Sequence, residues 1–162
     1  MLILAQRVSP AWRAACQFEF SLQYFGMQQF SMSVRVYLED TDAGGIVYHA
    51  SYLRFMERAR TDWLRASGVA LDEWQERHRR LFVVRSMTLD FLKPARLDEQ
   101  LVASVKLVTM KRASLWCEQR IHRNEVPLID ARVRLACIDA DTLAPAQIPV
   151  AISSAINEAV EA

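Results

Sequence analysis

A chain of 162 residues, 52% hydrophobic and 24% charged, is long enough for one domain with a real core and short for two. Its formal net charge of +1 excludes both the basic excess of a nucleic-acid surface and the acidic excess of a solvating tail. Three cysteines, Cys16, Cys117 and Cys137, are an odd number without C-x-x-C spacing, which excludes a disulfide framework and a zinc site and fits thiols in a reducing cytoplasm.

No apolar run is long enough to cross a membrane. Residues 1–31 hold one acid, Glu19, and lack the charged-then-apolar order of a secretory signal. They are expected to form a poorly packed extension, or to precede a natural start at Met32. A single domain is expected over 32–162.

Ser33–Glu39 alternates and is rich in β-formers, which predicts a strand. Asp40–Val47 carries two acids, a threonine and two adjacent glycines, the chemistry of a turn. From Tyr48 the period changes. Tyr48, Tyr52, Phe55 or Met56, Ala59, Trp63 and Leu64 make one apolar helical stripe, with Arg54, Glu57, Arg58, Arg60, Asp62 and Arg65 over most of the rest. Gly68 follows as a stop. Leu71–Arg80 predicts a second short helix, its acids early and its arginines late.

Strands are then predicted over Leu81–Leu92, Gln100–Met110, Ala113–His122 and Pro127–Asp139, with a tight turn at Lys111-Arg112. Pro149 opens a last amphipathic helix presenting Ile152 and Ile156. Strands do not alternate with helices, so the class is α+β: a largely antiparallel sheet against one long helix. An uncovered sheet edge favours pairing of subunits.

The glycine pair has three readings. The segment imitates the opening of an EF-hand loop, but Gly44 offers no ligand at the fifth place and Ser51 replaces the glutamate at the twelfth. No G-x-G-x-x-G and no Lys-Ser/Thr pair follows, which excludes a phosphate loop. The third reading is a catalytic turn. Glycine lets backbone approach a ligand, and the free N–H groups of the next helix face the same space. The carboxyl group of Asp42 supplies a base or nucleophile beside those donors. The competing reading is a structural turn capped by Asp42 or Thr41.

Arg35-Val36, Thr41-Asp42, the run Gly44-Gly45-Ile46-Val47-Tyr48-His49, and Tyr52 together resemble the active-site signature of the 4-hydroxybenzoyl-CoA thioesterase family. The likeness is strongest to the bacterial acyl-CoA thioesterases encoded with the Tol–Pal cell-envelope system. It continues through HASYLRFMERARTDWLRASG, FLKPARLDE and ASLWCEQ, over residues 33–150.

The resemblance implies the hotdog fold, a curved antiparallel sheet wrapped around one central helix. It implies a homodimer or homotetramer with active sites at subunit interfaces, no cofactor, and hydrolysis of an acyl-CoA thioester to a free acid and coenzyme A. It also implies a peripheral link to cell-envelope or lipid-synthesis proteins. Asp42 falls on the family's essential aspartate, as nucleophile or as activator of water. His49 falls on the group's histidine, its backbone N–H directed at the thioester oxygen. Gly44, Gly45 and Tyr48 belong to the same substrate-binding turn.

Lys111, Arg112 and Ser114 are candidates for the nucleotide end of coenzyme A, with Arg85 and Arg96 behind them. Tyr37 and Tyr48 are candidates whose bland role is core packing, and Trp63 and Trp116 are expected in the core or as acyl-pocket walls. His78 and His122 are expected at the surface. Leu38 stands where the group often carries a second tyrosine. Glu57 is read as a helix-surface ion-pair partner rather than the helix glutamate some hotdog thioesterases use. The competing functions are a non-catalytic acyl-CoA or acyl-carrier binding module and a hydroxyacyl-thioester dehydratase.

Overall fold

A computed structural model describes residues 29–161; the expectation for the N-terminal extension lies, for residues 1–28, outside the described residues. The elements are β1 (Phe30–Arg35), a 3₁₀ turn (Leu38–Asp40), α1 (His49–Ala66), α2 (Leu71–His78), β2 (Arg80–Phe91), β3 (Gln100–Lys111), β4 (Ser114–Arg123), β5 (Val126–Asp139) and α3 (Val150–Glu161). The strands form one antiparallel sheet in the order β1-β3-β4-β5-β2. This is the hotdog architecture: α1, about 27 Å long at 1.5 Å per residue, packs against β1, β3 and β4.

The two faces of the sheet follow from the period-2 pattern. Leu101, Ala103, Val105 and Leu107 of β3, with Leu115, Cys117 and Ile121 of β4, turn inward and are buried. They meet Tyr52, Phe55, Met56, Ala59 and Trp63 from α1 in one core. Burying a side chain such as Phe55 is worth about 1.5–3 kcal/mol, so the apolar stripe fixes which side of the helix faces the sheet. The outer face carries cross-strand ion pairs instead, Arg132–Glu118 at 3.3 Å and Arg120–Asp130 at 3.4 Å.

α1 stops as its sequence predicts. Gly68 has φ +77° and its N–H donates to Arg65 O at 2.9 Å, a conformation glycine adopts without a Cβ penalty. α3 buries Ile152 and Ile156 on one side, with Val160. No helix among the described residues is long and apolar enough to cross a membrane.

Several expectations need correction. β1 begins at Phe30 and ends at Arg35, so the strand read over Ser33–Glu39 is shifted and its last residues turn into the 3₁₀ turn. The β3–β4 hairpin turns at Arg112-Ala113; Lys111 still pairs with Ser114 across the ladder. Arg60 does not lie on the solvated face. It is 3% exposed, gives a hydrogen bond to Gln119 Oε1, and pairs with Glu57. Tyr37 and Tyr48 are not core residues of the protomer: they are 61% and 43% exposed. Trp63 is buried, but Trp116 sits on the outer face under the Arg134 guanidinium, 5.3 Å from the ring centroid.

Candidate active site

Residues 36–48 form a loop between β1 and α1, and hydrogen bonds close it at each level. The Tyr48 N–H donates to Asp40 O at 2.8 Å, Thr41 and Val47 form an isolated antiparallel bridge, and the Asp42 N–H donates to Ile46 O at 3.1 Å. The Gly45 N–H returns to Asp42 O at 3.0 Å. Asp42 and His49 are therefore parts of one small closed structure rather than neighbours in sequence alone.

Each glycine has its own reason. Gly45 sits at φ +70°, where a side chain is strained. A Cβ on Gly44 would lie 3.0 Å from Asp42 Oδ1, the atom that accepts the Gly44 N–H at 2.8 Å. That bond pins the Asp42 carboxylate in an Asx turn. Its other oxygen accepts no hydrogen bond from any described residue, and the side chain is exposed in the protomer.

The start of α1 stands beside it. Tyr48 is the N-cap residue but its side chain makes no capping bond. The Ser51 N–H donates to Tyr48 O at 2.8 Å, and the Tyr48 N–H is taken by Asp40. The N–H groups of His49 and Ala50 are left without an acceptor among the described residues, at the positive end of an 18-residue helix. The His49 ring is exposed, 4.3 Å from the Tyr48 ring and 6.5 Å edge-on from Phe91 of β2.

A second segment holds the loop from behind. Ala95 O accepts the Val47 N–H at 2.9 Å, and the Ala95 N–H donates to the Tyr52 hydroxyl at 2.8 Å. Burial pushes the Tyr52 phenol above its ordinary range, against the lowering effect of the Ala95 hydrogen bond. Val36 is tied on both sides to the same segment, its N–H to Glu99 O at 3.0 Å and its carbonyl to the Asp98 N–H at 3.1 Å. Tyr52 was legible as a stripe residue; the role of Ala95 carries no sequence signal beyond the motif FLKPARLDE.

The structure thus brings Asp42, Gly44, Gly45, Tyr48 and His49 together, and it does not bring Lys111, Arg112 and Ser114 to them within one protomer. The loop adjoins the Gln100 end of β3, and the hairpin lies at the Lys111 end. Eleven steps of about 3.3 Å place it roughly 36 Å away along the strand. Lys111 and Arg112 are exposed, Arg112 gives a hydrogen bond to Gln147 at 3.2 Å, and Ser114 is buried. Arg96 is exposed in the segment beside the loop; Arg85 is exposed on β2 at its register shift. Glu57 is engaged by Arg60. His78 is exposed, and half-buried His122 lines an outer-face cleft of about 290 Å³ that contains neither Asp42 nor His49.

Comparison with known proteins identifies relatives over most of the chain. A family model described as the thioesterase-like superfamily matches residues 36–156. The chain is 41% identical over 128 residues to the acyl-CoA thioesterase YbgC of Haemophilus influenzae, covering 79% of this chain and 94% of that protein. It is 44% identical over 124 residues to the acyl-CoA thioester hydrolase YbgC of Escherichia coli O6:H1, covering 76% and 92%. Among solved structures, a probable thioesterase from Bartonella henselae superposes with a TM-score of 0.72 at 34% identity, over 75% of this chain and all of that one.

Proposed function

We propose that this chain, which belongs to the thioesterase-like superfamily, hydrolyses acyl-CoA thioesters to a free acid and coenzyme A. The names of its relatives support the reaction; the observation that carries it to this chain is the closed loop joining Asp42 to an uncapped helix end. The thioester carbonyl oxygen would lie against the His49 and Ala50 N–H groups, which stabilise the charge that develops there. Asp42 would take a proton from water as that water attacks the carbonyl carbon, or attack it directly and be released by water. The C–S bond breaks, coenzyme A leaves as thiolate and takes up a proton. His49 stands beside the developing charge, where its imidazole can order water or relay a proton.

The protomer alone leaves the site open. Asp42, Tyr37, Tyr48 and Phe91 are exposed around it, and β2 is an edge strand of 12 residues with Val83 and Val84 also exposed. Long edges of this kind are covered in stable proteins. In our reading two protomers pair antiparallel through β2 and work in the cytoplasm as a homodimer or homotetramer. A two-fold axis there reverses the partner, bringing its Lys111–Arg112 turn to the end of the joint sheet that holds Asp42. That supplies the cations a nucleotide phosphate needs and gives Lys111 and Arg112 a role in trans. The peripheral link to cell-envelope or lipid-synthesis proteins completes the reading and is checked by affinity capture from the native cell.

Release of free thiol over a panel of aromatic and aliphatic acyl-CoAs and acyl-carrier thioesters tests the activity. Turnover of at least one thioester is expected. Tight binding of acyl-CoA without thiol release would favour the non-catalytic module instead.

A further inference from the structure

Asp40 is an unexpected residue to find buried. It is 2% exposed, although it lies in a loop whose next five residues are largely open to solvent. Burying a carboxylate is costly unless hydrogen bonds compensate it, and an ordinary turn would leave the side chain outside. Its Oδ2 accepts the Tyr37 N–H at 2.9 Å. Its own N–H donates to Tyr37 O at 3.0 Å, which completes the 3₁₀ turn. Its main-chain carbonyl reaches across the loop to accept the Tyr48 N–H at 2.8 Å.

These contacts join three things. The side chain fixes where the Asp40 backbone lies relative to the end of β1. The carbonyl then fixes the N-cap of α1. Because it occupies the Tyr48 N–H, the first unengaged donor of the helix becomes that of His49. Asp42 follows two residues later, and Thr41 between them is held through the Val47 bridge and by its hydroxyl to Leu38 O at 2.8 Å. Asp40 thus joins the Thr41–Val47 bridge and the Asp42–Ile46 bond in coupling the positions of the Asp42 carboxylate and of the His49 N–H, and of the three it alone engages the N-cap amide of α1.

We infer that Asp40 is a positioning residue: its buried carboxylate sets the spacing between the Asp42 carboxylate and the first free N–H of α1. The inference rests on the thioesterase reading, but the geometry it describes has a readout of its own.

The test compares Asp40→Ala and Asp40→Asn with the wild-type protein. Alanine removes the acceptor for the Tyr37 N–H; asparagine offers a carbonyl oxygen of the same reach. Hydrogen–deuterium exchange is followed at the amides of Tyr37 and Tyr48, and kcat and KM are measured on one acyl-CoA. Asp40→Ala is expected to exchange both amides at least tenfold faster. Its kcat should fall about tenfold to a hundredfold with KM within threefold, and Asp40→Asn should recover most of both effects. Thermal unfolding of each variant gives the folded fraction, to which kcat is referred. Unchanged exchange and kcat in Asp40→Ala would overturn the inference. So would a loss that tracks the folded fraction alone, or one that appears in KM with kcat intact. Fast exchange restored by asparagine, in a protein that hydrolyses no thioester, would uphold the geometry and refute the thioesterase reading.

Discussion

The Tyr52 hydroxyl accepts the Ala95 N–H at 2.8 Å, and the Ala95 carbonyl accepts the Val47 N–H at 2.9 Å. One residue of α1 and the residue just ahead of its N-cap are therefore clamped to the same point of the segment between β2 and β3. Tyr52→Phe keeps the ring and leaves the Ala95 N–H buried without an acceptor, so it should cost about 1–3 kcal/mol of unfolding free energy. Chemical denaturation measures this. Burial disfavours phenolate and holds the Tyr52 phenol above its ordinary value of 10.0. The unfolded chain loses that proton first, so wild-type stability falls as pH rises above 10.0 and through the folded value. Tyr52→Phe should lack that component of the alkaline loss.

Gly44 and Gly45 should fail differently when changed to alanine. A Cβ at Gly44 crowds the movable end of the Asp42 side chain, at 3.0 Å, and meets Ile46 at an ordinary contact distance of 4.0 Å. Gly44→Ala should spare stability and lower kcat about tenfold or more, because the carboxylate loses its position. Gly45 has open space but φ +70°, so Gly45→Ala should cost about 1–2 kcal/mol in backbone strain. Paired kcat and denaturation measurements separate the two; a stability loss confined to Gly44→Ala would contradict the account.

Gln119 connects the sheet to the central helix. Its Nε2 donates to Met56 O at 3.0 Å and its Oε1 accepts from buried Arg60. Gln119→Met matches the volume but leaves a buried guanidinium N–H of Arg60 without its acceptor, and an unsatisfied buried donor costs about 1–3 kcal/mol. Arg60 also pairs with exposed Glu57, so the loss should fall at the lower end. A shift in the denaturation midpoint at constant slope is the expected result.

Cys117 is pushed up to about 12, above all by burial, with Arg60 pulling in the opposite direction, and burial raises Cys137 as well. Thiolate is the reactive form. At pH 8 neither thiol should be alkylated in the folded protein, and both should be alkylated in denaturant, as peptide mass spectrometry would show. Rapid native labelling of either would contradict the burial described.

Element order was legible because periodicity changes cleanly at Tyr48 and again after Gly68, and the core stripe of α1 was read correctly at Tyr52, Phe55, Met56, Ala59 and Trp63. Residue type misled where spacing did not. Arg60 lies four residues after Met56 and three before Trp63, squarely on the buried stripe, yet its charge suggested solvent. The end of β1 was misplaced because the Asp40 side chain competes for the Tyr37 N–H, a local bond that overrides β-propensity. The motif brought Asp42 and His49 to attention. It could not show that Lys111 and Arg112 lie at the opposite end of the sheet, since that depends on the direction and register of β3.

The most direct measurement is the turnover of Asp42→Asn, by release of coenzyme A thiol from the best acyl-CoA of the panel, with unfolding followed in parallel. Asp42 projects from an exposed turn, so the unfolding midpoint should stay where it is. The account predicts that kcat falls about 10²–10⁴-fold. Wild-type turnover in the folded variant would contradict it.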